Sequence, residues 1–98
     1  MPDLAVTRTI IVTDPAGVHA RTAVAIADVV RRSASKVVLV KSSQRVAATD
    51  VLQIMSLVAG PGEQVLVEAI GSDAVDVLVA LEPLFAGEYG GDEAPKYT

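Results

Sequence analysis

The chain lacks cysteine and is poor in aromatic residues: its 98 residues include no Cys, no Trp, one Phe and two Tyr. Without thiols it can form no disulfide, no cysteine nucleophile and no thiolate zinc site. So few aromatic rings also argue against stacking on nucleic-acid bases. Because 51% of the residues are hydrophobic, a core built from Val, Ile, Leu and Ala is expected rather than disorder.

Histidine and basic residues are also scarce. There is one His, and 8 Lys and Arg stand against 12 Asp and Glu, for a formal net charge of -4. A single imidazole excludes a multi-histidine metal site, and an acidic chain lacks the positive field that a phosphate backbone requires. We therefore expect no metal, no cofactor and no nucleic-acid partner.

Long hydrophobic runs are absent as well. No apolar stretch approaches the roughly 18 residues of a membrane-spanning helix, and the first residues lack the basic and apolar regions of a signal peptide. The sequence therefore predicts a cytoplasmic protein without membrane insertion. Its length corresponds to a single domain with one core.

Hydrophobic periodicity switches several times between two-residue and 3.6-residue patterns, which predicts the element order βαββαβα. Strands are expected over 4–12, 36–41, 44–48 and 63–70, and helices over 19–34, 51–58 and from Ser72, as N-cap, to about Phe85. Pro83 should kink or stop the last helix. We expect a domain over residues 1–85 and a flexible tail over 86–98, where Gly and acidic residues are frequent.

The second predicted helix is too apolar to bury every hydrophobic side chain in one stripe. We expect Leu52 and Met55 to be exposed and, with Val51, to form a partner-binding surface that Val24 and Arg31 extend along the first helix. The alternative is that these side chains pack beneath a loop.

The only histidine, His19, lies at the predicted N-terminus of the first helix. Free N–H groups and the helix dipole form an anion site there, and they favour the neutral, nucleophilic imidazole. Arg21 can supply a guanidinium to the same anion, and Gly17 lets the backbone approach it. A histidine in this position is also a common capping or surface residue, so position alone leaves both interpretations open.

Residues 17–23, Gly-Val-His-Ala-Arg-Thr-Ala, resemble the active-site signature Gly-Leu-His-Ala-Arg-Pro-Ala of HPr, the histidine-containing phosphocarrier protein family of the bacterial phosphotransferase system. Residues 54–57, Ile-Met-Ser-Leu, the element order and the chain length are similar too. The resemblance extends over about residues 6–85.

This resemblance implies an α+β fold, an open-faced β-sandwich in which three helices cover one face of a four-stranded antiparallel sheet. It also implies that His19 accepts a phosphoryl group on Nδ1 from enzyme I, at the expense of phosphoenolpyruvate, and passes it to an enzyme IIA or a related acceptor. Arg21 would be the charge partner, and Gly17, Ala20 and Thr22 would bind the phosphoryl group. We expect a monomeric phosphoryl relay rather than a turnover enzyme.

Two departures from the family pattern lie beside the histidine. Thr22 replaces the usual Pro, which restores an N–H and adds a hydroxyl; the hydroxyl either reaches the phosphoryl oxygens or belongs to a tolerated first-turn residue. Ala16 stands where some relatives have an Asn that bonds the histidine ring. We therefore expect this orienting contact to be missing.

A third departure concerns regulation. Many relatives begin the second helix with Lys-Ser and are phosphorylated on that Ser, whereas this chain has Thr49 and Asp50 there. Asp50 is either a partial mimic of phosphoserine or an N-cap, and Gln53 three residues later completes a capping box.

The sequence leaves three functional hypotheses. The first is a phosphocarrier, in sugar uptake or in a variant pathway with other partners. The second is an HPr-like regulatory module that docks a transcription regulator or an enzyme without relaying phosphate. The third is an unrelated small α/β binding domain in which the motif is accidental. The presence of both His19 and Arg21 favours the first.

Overall fold

The computed structural model describes residues 4–89 and confirms the predicted element order. Of the tail expected over residues 86–98, residues 90–98 lie outside this described part. The elements are β1 (Val6–Ile11), α1 (Ala20–Arg31), β2 (Ser35–Lys41), β3 (Gln44–Ala47), α2 (Val51–Ser56), β4 (Gln64–Gly71) and α3 (Ala74–Leu81), followed by a short 3-10 helix (Glu82–Ala86).

The strands form one antiparallel sheet in the order β1-β4-β2-β3. Alternate residues of β4 are buried, which is the pattern of a sheet covered on one face. Helix α1 buries a single stripe, and α3 and the 3-10 helix contribute further apolar residues to the same core. The buried residues of β4 are Val65, Val67 and Ala69, and those of α1 include Ala23, Ile26, Ala27 and Val30.

The core is almost entirely aliphatic, as the composition predicts. Phe85 is its one phenylalanine, and it is buried together with Ile26, Leu39 and Ile54. Each such side chain contributes about 1.5–3 kcal/mol when it leaves water. These residues come from both ends and the middle of the described part of the chain and belong to one hydrophobic cluster.

Asp50 begins α2 as predicted: its Oδ1 accepts the N–H of Gln53 at 3.1 Å. The expected second bond of the capping box, from the N–H of Asp50 to the Gln53 side chain, is not formed. The side-chain oxygen of Gln53 accepts the N–H of Ala47 at 3.1 Å, and the N–H of Asp50 donates to the Ala47 carbonyl. Because β3 ends close to the start of α2, the Gln53 side chain bonds to the last residue of β3 and not to Asp50. The structure thus gives Asp50 a capping role.

The predicted N-cap of the last helix, Ser72, is wrong, because α3 begins after Asp73. The Asp73 carboxylate accepts the Ser35 hydroxyl and the N–H of Ala34, which lowers the pKa of Asp73 and ties α3 to the start of β2. The expectation for Pro83 is confirmed: α3 ends at Leu81 and the chain continues as a 3-10 helix.

Val58, just after α2, has a left-handed backbone conformation with φ of 50°. This region costs an L-residue about 1–2 kcal/mol and is especially unfavourable for a β-branched side chain. Lys41 holds the turn by donating from Nζ to the carbonyls of Leu57 at 3.1 Å and Val58 at 3.0 Å. The Val58 side chain itself is 74% exposed.

Val58→Gly is therefore expected to raise the free energy of unfolding by about 1 kcal/mol, because Gly adopts a positive φ without steric cost and little packing is lost. The greater freedom of Gly in the unfolded chain offsets part of the gain. Urea denaturation measures the change. The matched control is Val75→Gly, at an exposed helical position of α3, which should lower the free energy by about 0.5 kcal/mol. Losses of equal size at both positions would contradict the assignment of strain to Val58.

Candidate functional site

His19 is the N-cap of α1, which confirms its predicted position. Its backbone is extended, its carbonyl accepts the N–H of Ala23, and its Nδ1 accepts the N–H of Arg21 at 3.3 Å. In a neutral imidazole one ring nitrogen accepts and the other carries the proton. The bond from Arg21 to Nδ1 therefore corresponds, in the neutral ring, to the tautomer with its proton on Nε2. The side chain is 38% exposed, so a reactant can reach it.

The loop before His19 is held by its own backbone and by the segment after α2. Asp14 closes the turn: its Oδ1 accepts the N–H of Ala16 and its carbonyl accepts the N–H of Gly17, both at 2.9 Å. Gly17 has φ of 71°, and a Cβ there would lie 2.9 Å from the Ala59 carbonyl oxygen. Gly17 thus permits a close approach between two backbone segments, whereas the sequence suggested an approach to a bound anion.

The segment after α2 is fixed in turn by Glu63. Its Oε1 accepts the N–H of Gly60 at 2.6 Å and lies 3.2 Å from the Nζ of Lys41. The bond from Gly60, and then the one from Lys41, hold the pKa of the Glu63 carboxyl below its ordinary value. Protonation of Glu63 removes its charge and weakens these bonds; because its pKa is lowered, their contribution to stability is present above the ordinary carboxyl pKa and is lost only as the pH falls through the lowered value.

The outer nitrogen of the imidazole, Nε2, faces two groups that sequence reasoning missed. Asp14 Oδ2 lies 3.6 Å away, and the Tyr89 hydroxyl lies 3.4 Å away. The ring contact expected to be missing at Ala16 is thus supplied from elsewhere. Asp14 reads as an ordinary turn residue in the sequence, and Tyr89 falls in the expected tail. In the sequence, the only feature that singles out Tyr89 is that it is an aromatic residue among small and acidic ones.

Arg21 and Thr22 both contact Tyr89. The guanidinium carbon of Arg21 lies 4.6 Å from the centre of the Tyr89 ring, a cation–π arrangement close to the imidazole. Thr22 is completely buried, and its Oγ1 lies 2.7 Å from the Tyr89 hydroxyl. The Thr22 hydroxyl is therefore bonded to a protein side chain, and the expected binding of a phosphoryl group by Thr22 stays a prediction.

Comparison with known proteins identifies the family to which the chain belongs. The family model described as PTS HPr component phosphorylation site matches residues 6–87. The chain belongs to the HPr family. It is 37% identical over 84 residues to the phosphocarrier protein HPr of Treponema pallidum (strain Nichols). The alignment covers 86% of this chain and 96% of the relative.

Solved HPr structures share the fold. The HPr of Bacillus anthracis str. Ames superposes with a TM-score of 0.77 at 29% identity, over 82% of this chain and 95% of that one. HPr-C-His from Thermoanaerobacter tengcongensis gives a TM-score of 0.73 at 30% identity, over 85% and 97%. The expected open-faced sandwich is confirmed, and family membership makes the chain a phosphocarrier of the phosphotransferase system.

The surface that the sequence predicts for partner binding is partly exposed and apolar. Val24, Leu52 and Met55 are 55%, 78% and 38% exposed, as expected, while Val51 is half-buried. Arg31 donates from Nη2 to the Thr49 carbonyl at 2.6 Å and so joins α1 to the turn before α2. Sequence reasoning did not single out Val58, which follows α2 and is 74% exposed.

Two further observations apply to residues 4–89. Within that range no group of three or more His, Cys, Asp or Glu side chains is arranged to hold a metal ion. None of the helices described there is long and apolar enough to cross a membrane.

Proposed function

We propose that this chain receives a phosphoryl group from enzyme I on Nδ1 of His19 and passes it to an enzyme IIA or a related acceptor. One observation carries the proposal: Nδ1 lies at the positive end of α1 and accepts the N–H of Arg21, as an imidazole nitrogen with a free lone pair does. A bare imidazole nitrogen is a nucleophile, and free helix N–H groups are an anion site.

In the transfer, the Nδ1 lone pair forms the N–P bond while the bond between phosphorus and the donor's leaving atom breaks, and the leaving atom keeps the electron pair. The N–H of Arg21 then loses Nδ1 as acceptor and, with that of Ala20, meets the phosphoryl oxygens. The Arg21 guanidinium, now stacked on Tyr89, has only a short distance to travel to the new negative charge.

The exposed apolar side chains of α1 and α2 suit a surface that two partners occupy in turn. Val24, Leu52 and Met55 offer apolar area, and the flexible Met55 adapts to different partners. Val51 and Arg31 border them. Because a relay must release each partner, a small apolar surface is better suited than a large permanent interface.

The test is the intact mass of the chain after incubation with phosphoenolpyruvate and enzyme I. We expect a gain of one phosphoryl group that is lost in acid, because phosphohistidine is acid-labile and phosphoserine is not, and peptide mapping should place it on His19. If an enzyme I that phosphorylates its own carrier leaves this chain unmodified, the regulatory docking module replaces the carrier as the preferred function.

Arg21→Ala is expected to lower the rate constant of phosphoryl acceptance on the order of tenfold, because it removes the guanidinium and leaves the backbone N–H groups in place. The rate constant of Arg21→Lys should lie between those of the wild type and Arg21→Ala, because an ammonium group keeps the charge but lacks the planar, two-pronged geometry of a guanidinium. Arg45→Ala, which removes the same charge beside Glu68 on the uncovered sheet face, is the matched control. Single-turnover transfer from phosphorylated enzyme I gives the rates, and equal rates for both alanine variants would remove Arg21 from the site.

A further inference from the structure

The Tyr89 hydroxyl lies at the centre of a small polar cluster behind the imidazole. It is 2.7 Å from Thr22 Oγ1, 3.3 Å from Asp14 Oδ2 and 3.4 Å from His19 Nε2. The family match ends at residue 87, so Tyr89 belongs to a part of the chain that the shared family pattern does not include. Thr22, its closest partner, is itself the residue that departs from the signature.

The direction of each hydrogen bond follows from the groups involved. The Asp14 carboxylate can only accept, so the Tyr89 hydroxyl donates to it. The phenol oxygen then has lone pairs for the Thr22 hydroxyl and for the Nε2–H of His19. This leaves Nδ1 without a proton, in agreement with the bond that it accepts from the N–H of Arg21. With the imidazole proton on Nε2, every O–H and N–H group of the cluster has a hydrogen-bond acceptor.

The cluster is held rigidly by its surroundings. Thr22 is 0% exposed and Asp14 is 9% exposed. The N–H groups of Thr13 and Asp14 both donate to the Phe85 carbonyl at 3.1 Å, which joins the loop to the C-terminal segment. Gly87, with φ of 83°, turns that segment over Asp14, and a Cβ there would lie 2.8 Å from Asp14 Oδ2. Positions fixed in this way keep a side-chain network preorganised.

We propose that Tyr89, supported by Asp14 and Thr22, is a positioning residue that holds His19 in the tautomer with the proton on Nε2 and a free lone pair on Nδ1. Its effect on transfer rests on the function proposed above. When Nδ1 forms the N–P bond and Nε2 keeps its proton, the ring gains positive charge. Asp14, 3.6 Å from Nε2, then faces that charge with a carboxylate.

The first test is the ¹⁵N NMR spectrum of the imidazole in the unphosphorylated chain, in alkaline buffer where the ring is neutral. In the wild type, Nδ1 should show the chemical shift of an unprotonated nitrogen and Nε2 that of an N–H. Tyr89→Phe removes only the hydroxyl and keeps the ring beneath Arg21. We expect both nitrogen shifts to move toward each other as the two tautomers mix.

Thr22→Val should have a smaller effect of the same kind, since it removes the partner that orients the phenol. Thr9→Val, the same change at an exposed position of β1, is the matched control and should leave the shifts unchanged.

Asp14→Asn gives a sharper test because it preserves shape and reverses one bond. An amide oxygen can still accept the N–H of Ala16, but the amide nitrogen then takes the place of Oδ2 and donates to the phenol oxygen of Tyr89. The Tyr89 hydroxyl, which has lost its acceptor at residue 14, then donates to Nε2. A donor at that position favours a lone pair on Nε2. We expect the share of the tautomer with the proton on Nδ1 to rise above that in Tyr89→Phe.

The second test is the rate of phosphoryl acceptance from enzyme I. Tyr89→Phe should lower it about three- to tenfold, the size of one lost hydrogen bond, and Asp14→Asn should lower it further. Unchanged nitrogen shifts in both variants overturn the proposal, even if their stability falls, because that result leaves only a structural role. A wild-type chain with the expected shifts that is never phosphorylated overturns the proposed function and leaves the positioning role standing.

Discussion

His19→Ala should accept no phosphoryl group from phosphorylated enzyme I, because it removes the only imidazole in the chain. The fold should remain, with a loss of about 1 kcal/mol in the free energy of unfolding, since Nδ1 also caps α1. Intact mass measures the first effect and urea denaturation the second.

His19→Asn separates the two roles of this residue. The Asn side chain can still accept the N–H of Arg21 as an N-cap, but its amide is no nucleophile. We expect wild-type stability together with complete loss of acceptance. An acid-labile gain of mass in either His19 variant would move the phosphoryl site to another residue.

Gly71→Ala should lower the free energy of unfolding by about 3 kcal/mol or more. Gly71 ends β4 opposite Ser35 with φ of 154°, and a Cβ there would lie 2.6 Å from the Ser35 Cα and 2.7 Å from the Ala34 carbonyl oxygen. These are backbone atoms, so relief of the overlap requires β2 and β4 to separate. Urea denaturation at one protein concentration provides the value.

Gly62→Ala is the matched control for this change. Gly62 also has a positive φ, 85°, but a Cβ there would meet nothing within 4 Å. Its substitution should therefore cost only the conformational strain, about 1 kcal/mol. If the two substitutions cost the same, the contact with Ser35 contributes nothing and the packing argument for Gly71 is wrong.

The features that could be predicted from sequence are those set by neighbouring residues. The stripe of α1, the break at Pro83 and the Asp50 cap each depend on residues within one or two helical turns. His19 could be placed at a helix N-terminus for the same reason. Its chemical role was suggested by the surrounding string of residues, which periodicity cannot interpret.

The features that were missed depend on tertiary contacts. Asp14 and Tyr89 are 75 positions apart in the chain, and neither carries a local pattern that indicates the other. Gln53 and Asp73 have the expected residue types for caps, but Ala47 and Ser35 compete for their side chains across the fold. The left-handed conformation of Val58 runs against the preference of its residue type, so no propensity argument could find it.

The position of β1 at the sheet edge has a consequence for synthesis on the ribosome. Among residues 4–89 its one neighbour in the sheet is β4, so the first of these four strands to be synthesised pairs with the last of them. During translation, β1 therefore lacks its full partner strand until Gly71, the last residue of β4, has left the exit tunnel. Until then, the unpaired edge is open to association with other chains, and a chaperone that shields residues 6–11 during translation would protect it.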